Sequence, residues 1–153
     1  MVEVGGKAPD FALYDTQGKE HRLSEYRGKN VVLFFFAKAF TGTCERQVSA
    51  HEHAIDQFRS LNAQVLGVST DQSPAQAQFL KACGVSSYPV LSDFRHQVIN
   101  LYGIALGTGQ RASERATFIV DRDGVLRYVH VEPDAGNWAG LDPEIQVLKG
   151  LQR

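Results

Sequence analysis

Along this chain the spacing of hydrophobic positions changes several times, and each change marks an element. Phe11, Ala12, Leu13 and Tyr14 make a short apolar run that predicts a strand. Asp15-Thr16-Gln17-Gly18 reads as a turn, with Glu20–Leu23 as the hairpin partner. After the polar break Arg27-Gly28-Lys29-Asn30 comes Val31-Val32-Leu33-Phe34-Phe35-Phe36. This run is β-branched and aromatic without alternation, so it predicts a strand buried on both faces. Val48, Ile55, Phe58 and Leu61 then recur at helical spacing, with Glu45, Arg46, Glu52 and Asp56 elsewhere on the wheel. Gln64–Val68 is a second buried strand. Ser73–Cys83 is a second helix, with Gly84 as its C-terminal stop. Tyr88–Leu91 is expected to be extended and Gln97–Tyr102 to be a short helix. Ala116–Val120 and Val125–Val131 flank Asp121-Arg122-Asp123-Gly124, a hairpin signal. In the tail, Asp142 is the expected cap, Pro143 occupies the first turn, and Ile145, Leu148 and Leu151 share one face of a last helix.

Strands alternating with helices imply right-handed crossovers and parallel pairing, and the late hairpin extends the sheet antiparallel. The expected fold is α/β: a thioredoxin-like three-layer α/β/α sandwich with a mixed central sheet and an N-terminal hairpin. With 153 residues and no linker or repeat, 1–153 reads as a single domain. The formal net charge is −1 and there is no basic run, which argues against a nucleic-acid partner. The longest apolar stretch, Val31–Ala37, is too short to span a bilayer, so no membrane partner is expected. The N-terminus lacks the basic and apolar regions of a signal peptide, which points to a cytoplasmic, reducing compartment. Two cysteines do not make a structural framework there, so their chemistry should be redox chemistry.

Cys44 has the setting for it. A buried strand ends at Phe36, the loop Ala37-Lys38-Ala39-Phe40-Thr41 follows, and Cys44 falls in the first turn of the next helix. Free amides and the positive helix end converge there and favour a thiolate, the nucleophilic form. The Thr41 hydroxyl can hydrogen-bond a thiolate or a peroxide oxygen, and Gly42 lets backbone approach a small substrate. By position alone, an inert buried helix cysteine remains an equal alternative.

The whole segment resembles the peroxiredoxin signature Pro-x-x-x-Thr-x-x-Cys: Thr41-Gly42-Thr43-Cys44 follows an apolar strand and the pair Ala39-Phe40. Three more stretches are similar to the family in the same order. They are Gly6-Lys7-Ala8-Pro9-Asp10-Phe11, Tyr88-Pro89-Val90-Leu91-Ser92-Asp93, and Arg115-Ala116-Thr117-Phe118-Ile119-Val120-Asp121, the last resembling the strand with the active-site arginine. The length and Ser92-Asp93-Phe94 are similar to the alkyl hydroperoxide reductase E branch, with the bacterioferritin comigratory protein branch nearly as close. Two positions depart from the pattern: Ala37 stands where the family has proline, and Gln47 where these branches usually have glutamate.

The resemblance implies a thiol-dependent peroxidase acting in antioxidant defence on hydrogen peroxide and organic hydroperoxides. It needs no cofactor or metal. Cys44 would attack the peroxide and become a sulfenic acid, with Thr41 and Arg115 donating hydrogen bonds to the reacting atoms, and Ala37, Phe40, Gly42, Thr43 and Gln47 shaping the site. Cys83, 39 positions further on, occupies the helix that carries a resolving cysteine in part of the comigratory-protein branch. It is either that resolving thiol, giving a disulfide that a thioredoxin-like partner reduces, or a small packing residue in an enzyme resolved by an external thiol. Monomer and homodimer both stay open.

Other signals carry less. His51-Glu52-His53 lacks metalloprotease spacing, and a solvated helix face is the expected reading. His21, His96 and His130 are isolated and have no zinc spacing. The glycines from Gly103 to Gly109 do not sit in a βαβ unit, so no nucleotide site is expected. Trp138 is expected to pack on its own chain, the alternative being a dimer contact. Two other functions compete: a thioredoxin-like disulfide oxidoreductase, disfavoured because Thr41 and Gln47 leave Cys44 without a Cys-x-x-Cys partner, and a non-catalytic peroxide sensor or holdase, which would stop after one equivalent of peroxide.

Overall fold

The computed structural model describes residues 2–37, 39, 42–105, 113–133 and 138–152. The predicted N-terminal hairpin is β1 (Ala12–Asp15) with β2 (Glu20–Arg22). Asp15 fixes the turn by accepting the amides of Gln17 and Lys19 on Oδ1. The chain then passes through a 3₁₀ turn at Leu23–Tyr26 into β3 (Asn30–Phe35), every residue of which is buried. Next come α1 (Gly42–His53), α2 (Ile55–Ser60), β4 (Ala63–Ser69), α3 (Ser73–Cys83), β5 (Val90–Ser92) and α4 (Gln97–Leu101). The hairpin β6 (Ala116–Val120) and β7 (Leu126–Val131) and the helix α5 (Asp142–Gly150) complete the order.

The strands form one seven-stranded sheet in the order β2-β1-β5-β4-β3-β6-β7. β3, β4 and β5 run parallel to one another, whereas β1 and β6 join them antiparallel. Because side chains alternate across a strand, β3 feeds two cores. Val31, Leu33 and Phe35 pack with Val98, Ile99 and Tyr102 around α4. Val32 and Phe34 pack with Val48, Phe58, Phe79 and Leu148 from α1, α2, α3 and α5. This is the expected thioredoxin-like sandwich with a mixed sheet.

Several boundaries fall as the pattern predicts. Gly84 closes α3 in the left-handed region at φ 70°, and the Val85 amide returns to the Leu80 carbonyl at 2.9 Å. Gly124 ends the β6–β7 turn at φ 87°, and a Cβ there would collide with the Arg27 guanidinium. Three expectations need correction. The single helix through Val48–Leu61 is kinked at Ala54, although amide bonds from Ala54 to Ala50 and from Phe58 to Ala54, both 3.1 Å, run across the break. Neither glycine nor proline stands at that kink, and nothing local in the sequence marks it. The extended piece expected at Tyr88–Leu91 is paired only over Val90–Ser92, because Pro89 has no amide to donate and contributes its carbonyl to Gly67 instead. Leu141, not Asp142, holds the cap position of α5; Asp142 lies inside the first turn and no side chain caps the helix. Ile145 and Leu148 are buried and Leu151 is half-buried.

Candidate active site

The parallel strands β3 and β4 end at the same edge of the sheet, the side from which a ligand site is expected in such folds. From there the chain enters α1, whose third residue is Cys44. Its side chain has 0% exposure and packs with Phe36, Val48 and Phe79. The first-turn amides of a helix have no partner within the helix, so negative charge is favoured at this end.

Arg115 comes from the other side of the sheet. β6 pairs antiparallel with β3, Ala116 lying opposite Phe35, so the residue just before β6 stands beside the strand end that leads to Cys44. Its backbone carbonyl is held by the Glu132 amide at 2.8 Å. The side chain is 2% exposed. Its Nη2 donates to Cys44 Sγ at 3.2 Å and its Nη1 to Gln47 Oε1 at 2.7 Å. Cys44 and Gln47 are three apart on α1 and therefore share a face, which lets one planar guanidinium span both. A guanidinium only donates, so it fixes the Gln47 amide with Oε1 inward; Nε2 is buried with no hydrogen-bond partner among the described residues. Gln47 aims the arginine without neutralising it.

Other residues singled out in the sequence divide into two groups. Gly42 opens α1 and is exposed; Thr43, next to it, and Ala37, just after β3, are half-buried. Phe40 and Thr41 lie outside the described residues, as does most of the Gly103–Gly109 stretch. Cys83 ends α3, half-buried and unpaired. Burial, and then the nearby Glu45 carboxylate, push its thiol up from the ordinary value against a hydrogen bond with Ser49. Glu45 and Ser49 both belong to α1, so Cys83 faces the helix that carries Cys44.

His51 corrects the expectation of a solvated face. It is 0% exposed and stacks on Phe34 with centroids 4.2 Å apart and planes 7° from parallel. Nδ1 donates to the Gln47 carbonyl at 2.8 Å, and Nε2 meets Glu144 Oε1 of α5 at 2.7 Å. A carbonyl only accepts, so Nδ1 carries the hydrogen of the bond to Gln47. The signal was present: residues 44, 48, 51, 55 and 58 form one helical stripe, and the histidine lies on it. His53 is exposed and points elsewhere. Trp138 packs on its own chain, its ring 5.7 Å from that of His51. Further ties hold the same half of α1. The Tyr88 hydroxyl donates to the Val48 carbonyl at 2.7 Å, and the Glu52 carboxylate accepts the Ser86 and Ser87 amides at 2.9 Å each, together with the Ser87 hydroxyl.

Among the described residues, no group of three or more His, Cys, Asp or Glu is placed to hold a metal ion, and no helix is long and apolar enough to cross a membrane. The model of the AhpC/TSA family matches residues 4–129. The chain belongs to this family, the peroxiredoxins. Peroxiredoxin-2 of Cricetulus griseus is 33% identical over 160 residues, covering 99% of this chain and 80% of that one. A mitochondrial thioredoxin-dependent peroxide reductase of Drosophila melanogaster is 32% identical, covering 99% of this chain and 68% of its own. The crystal structure of peroxidoxin BcpB from Mycobacterium tuberculosis matches with a TM-score of 0.90 at 28% identity, over 100% of both chains. The peroxiredoxin described here is accordingly a thiol-dependent peroxidase on a thioredoxin-like fold.

Proposed function

We propose that Cys44 is the peroxidatic cysteine of this peroxiredoxin and that Arg115 is its principal hydrogen-bond donor. The observation that carries the assignment is the 3.2 Å contact from Arg115 Nη2 to Cys44 Sγ, made at a helix start. The thiolate attacks the terminal oxygen of R–O–OH. The S–O bond forms as the O–O bond breaks, sulfur becomes sulfenic acid, and R–O⁻ takes a proton to leave as alcohol or water. Negative charge spreads over sulfur and both oxygens, so donors fixed on those atoms lower the barrier. Arg115 supplies the Nη2 donor on sulfur, the first turn of α1 supplies amides, and Thr41 is the expected hydroxyl donor. Cys44→Ser should abolish peroxide consumption. Arg115→Met should lower the second-order rate with hydrogen peroxide by roughly 100- to 1,000-fold, the usual effect of losing such a donor. Stopped-flow peroxide consumption measures both, and an active Cys44→Ser protein would remove the assignment.

Cys83 is proposed as the resolving thiol. Its position against α1, beside Glu45 and Ser49, supports this role. A disulfide needs Cα atoms within about 7 Å, so the first turn of α1 would open for Cys83 to reach Cys44. A thioredoxin-type protein then reduces the bridge, in the reducing cytoplasm where free thiols persist. Intact mass after one equivalent of peroxide decides the point: loss of two hydrogens supports an internal disulfide, and a lasting singly oxygenated species means that an external thiol resolves Cys44.

A further inference from the structure

The segment between β3 and α1 carries Cys44 to its place, yet it belongs to neither element. The last ladder bond of β3 runs from the Phe36 amide to the Val68 carbonyl at 3.0 Å. At Ala37 no proline ring fixes φ. Three residues beyond Phe36, the Ala39 amide donates to Asp71 Oδ2 at 2.8 Å. That carboxylate oxygen has a second donor, itself held by the surrounding fold. Ser69 Oγ donates to the same oxygen at 2.8 Å, and Gln76 Nε2 of α3 donates to Ser69 Oγ and to the Leu91 carbonyl, each at 2.9 Å. Ser92 Oγ holds the Asp71 carbonyl at 2.6 Å. Ser69 and Gln76 are fully buried. Ser69 of β4 thus aims the carboxylate, Gln76 of α3 positions that serine, and Ser92 of β5 holds the Asp71 backbone, so the carboxylate takes hold of the chain five residues before the reactive sulfur.

We propose that Asp71 is a positioning residue for peroxide reduction. Its carboxylate fixes Ala39, and with it the path that sets the donors around Cys44. An amide bonded to a charged acceptor makes a stronger anchor than a neutral bond, which suits a residue that lies outside both β3 and α1. The inference rests on Cys44 being the peroxidatic cysteine, and the experiment separates the two.

The variants are made in a Cys83→Ser background, so that Cys44 is the sole thiol. Each is reacted with hydrogen peroxide and, separately, with iodoacetamide. Alkylation asks for an ionised, reachable sulfur; peroxide cleavage asks in addition for donors aligned on two oxygens. Asp71→Ala should slow peroxide reduction roughly 10- to 100-fold, the cost of a small misplacement of reacting groups, while alkylation of Cys44 is unchanged or faster. Asp71→Asn keeps an oxygen acceptor and should recover the greater part of the lost rate. If the alanine variant does not fold, Asp71→Ser replaces it, because its hydroxyl is too short to reach Ala39. A peroxide rate within about twofold of the parent overturns the proposal. So does an equal fall with both reagents, which would mark a merely structural residue, or an asparagine variant no better than alanine. Cys44→Ser is measured in parallel; residual peroxide reduction there would defeat the assignment of Cys44, whatever residue 71 does.

Discussion

A buried guanidinium has to find acceptors for its N–H groups, and at Arg115 two of these acceptors are Cys44 Sγ and Gln47 Oε1. Replacing Gln47 by leucine would leave an Nη1 donor buried without that acceptor, a penalty of about 1–3 kcal/mol, and would free the arginine to rotate off the sulfur. Gln47→Leu should therefore lower both the urea midpoint and the peroxide rate, the latter roughly 10-fold. The pair His51–Glu144 calls for a different result. Both residues are almost wholly buried, so His51→Ala strands a carboxylate in the core and should cost about 3–5 kcal/mol in urea unfolding. The place of Cys44 in the first turn of α1 was legible at this scale, because the buried run ending at Phe36 and the helical spacing after it are local signals. The use of His51 was not, since its partner lies 93 positions away and only the tertiary fold brings the two together.

At the scale of elements, α1 and the loop after α3 are tied through Glu52. Burial pushes the Glu52 carboxyl up, but hydrogen bonds from the side chain and amide of Ser87 and from the Ser86 amide outweigh it and hold the group below its ordinary value of 4.5. A carboxyl lowered by folding adds stability that is present above the unfolded value and is lost as pH falls through the folded one. Wild-type stability should therefore drop below about pH 4.5, and Glu52→Gln should flatten that part of the urea-midpoint profile against pH. Cys83 runs the other way. Its thiol is raised, so the reactive thiolate is scarce at neutral pH, and internal disulfide formation should accelerate with pH up to and beyond 9.0. Quenched-flow trapping of the sulfenic acid across that range measures it. Helix α3 was readable to the residue because Pro74 and Gly84 punctuate both ends. The kink at Ala54 and the missing side-chain cap at Asp142 were not, because no residue type announces either.

Across the whole molecule, the sheet order follows from a few patterns. A two-sided apolar run makes β3 central, and a turn sequence of Asp121-Arg122-Asp123-Gly124 makes β6 and β7 an antiparallel pair. That topology, rather than any motif, sets Arg115 beside the end of β3 and opposite the start of α1. The fastenings on α1 are unevenly distributed. Val48, His51 and Glu52 are bonded to Tyr88, to Glu144, and to Ser86 and Ser87, so one half of the helix is riveted to three neighbouring parts of the fold. Ahead of Val48, the Arg115 fork holds Cys44 and Gln47. Melting that begins at Gly42 would thus meet these fastenings from Val48 onward, less than two turns in, and would leave Cys44 on a hinged arm instead of a fraying end.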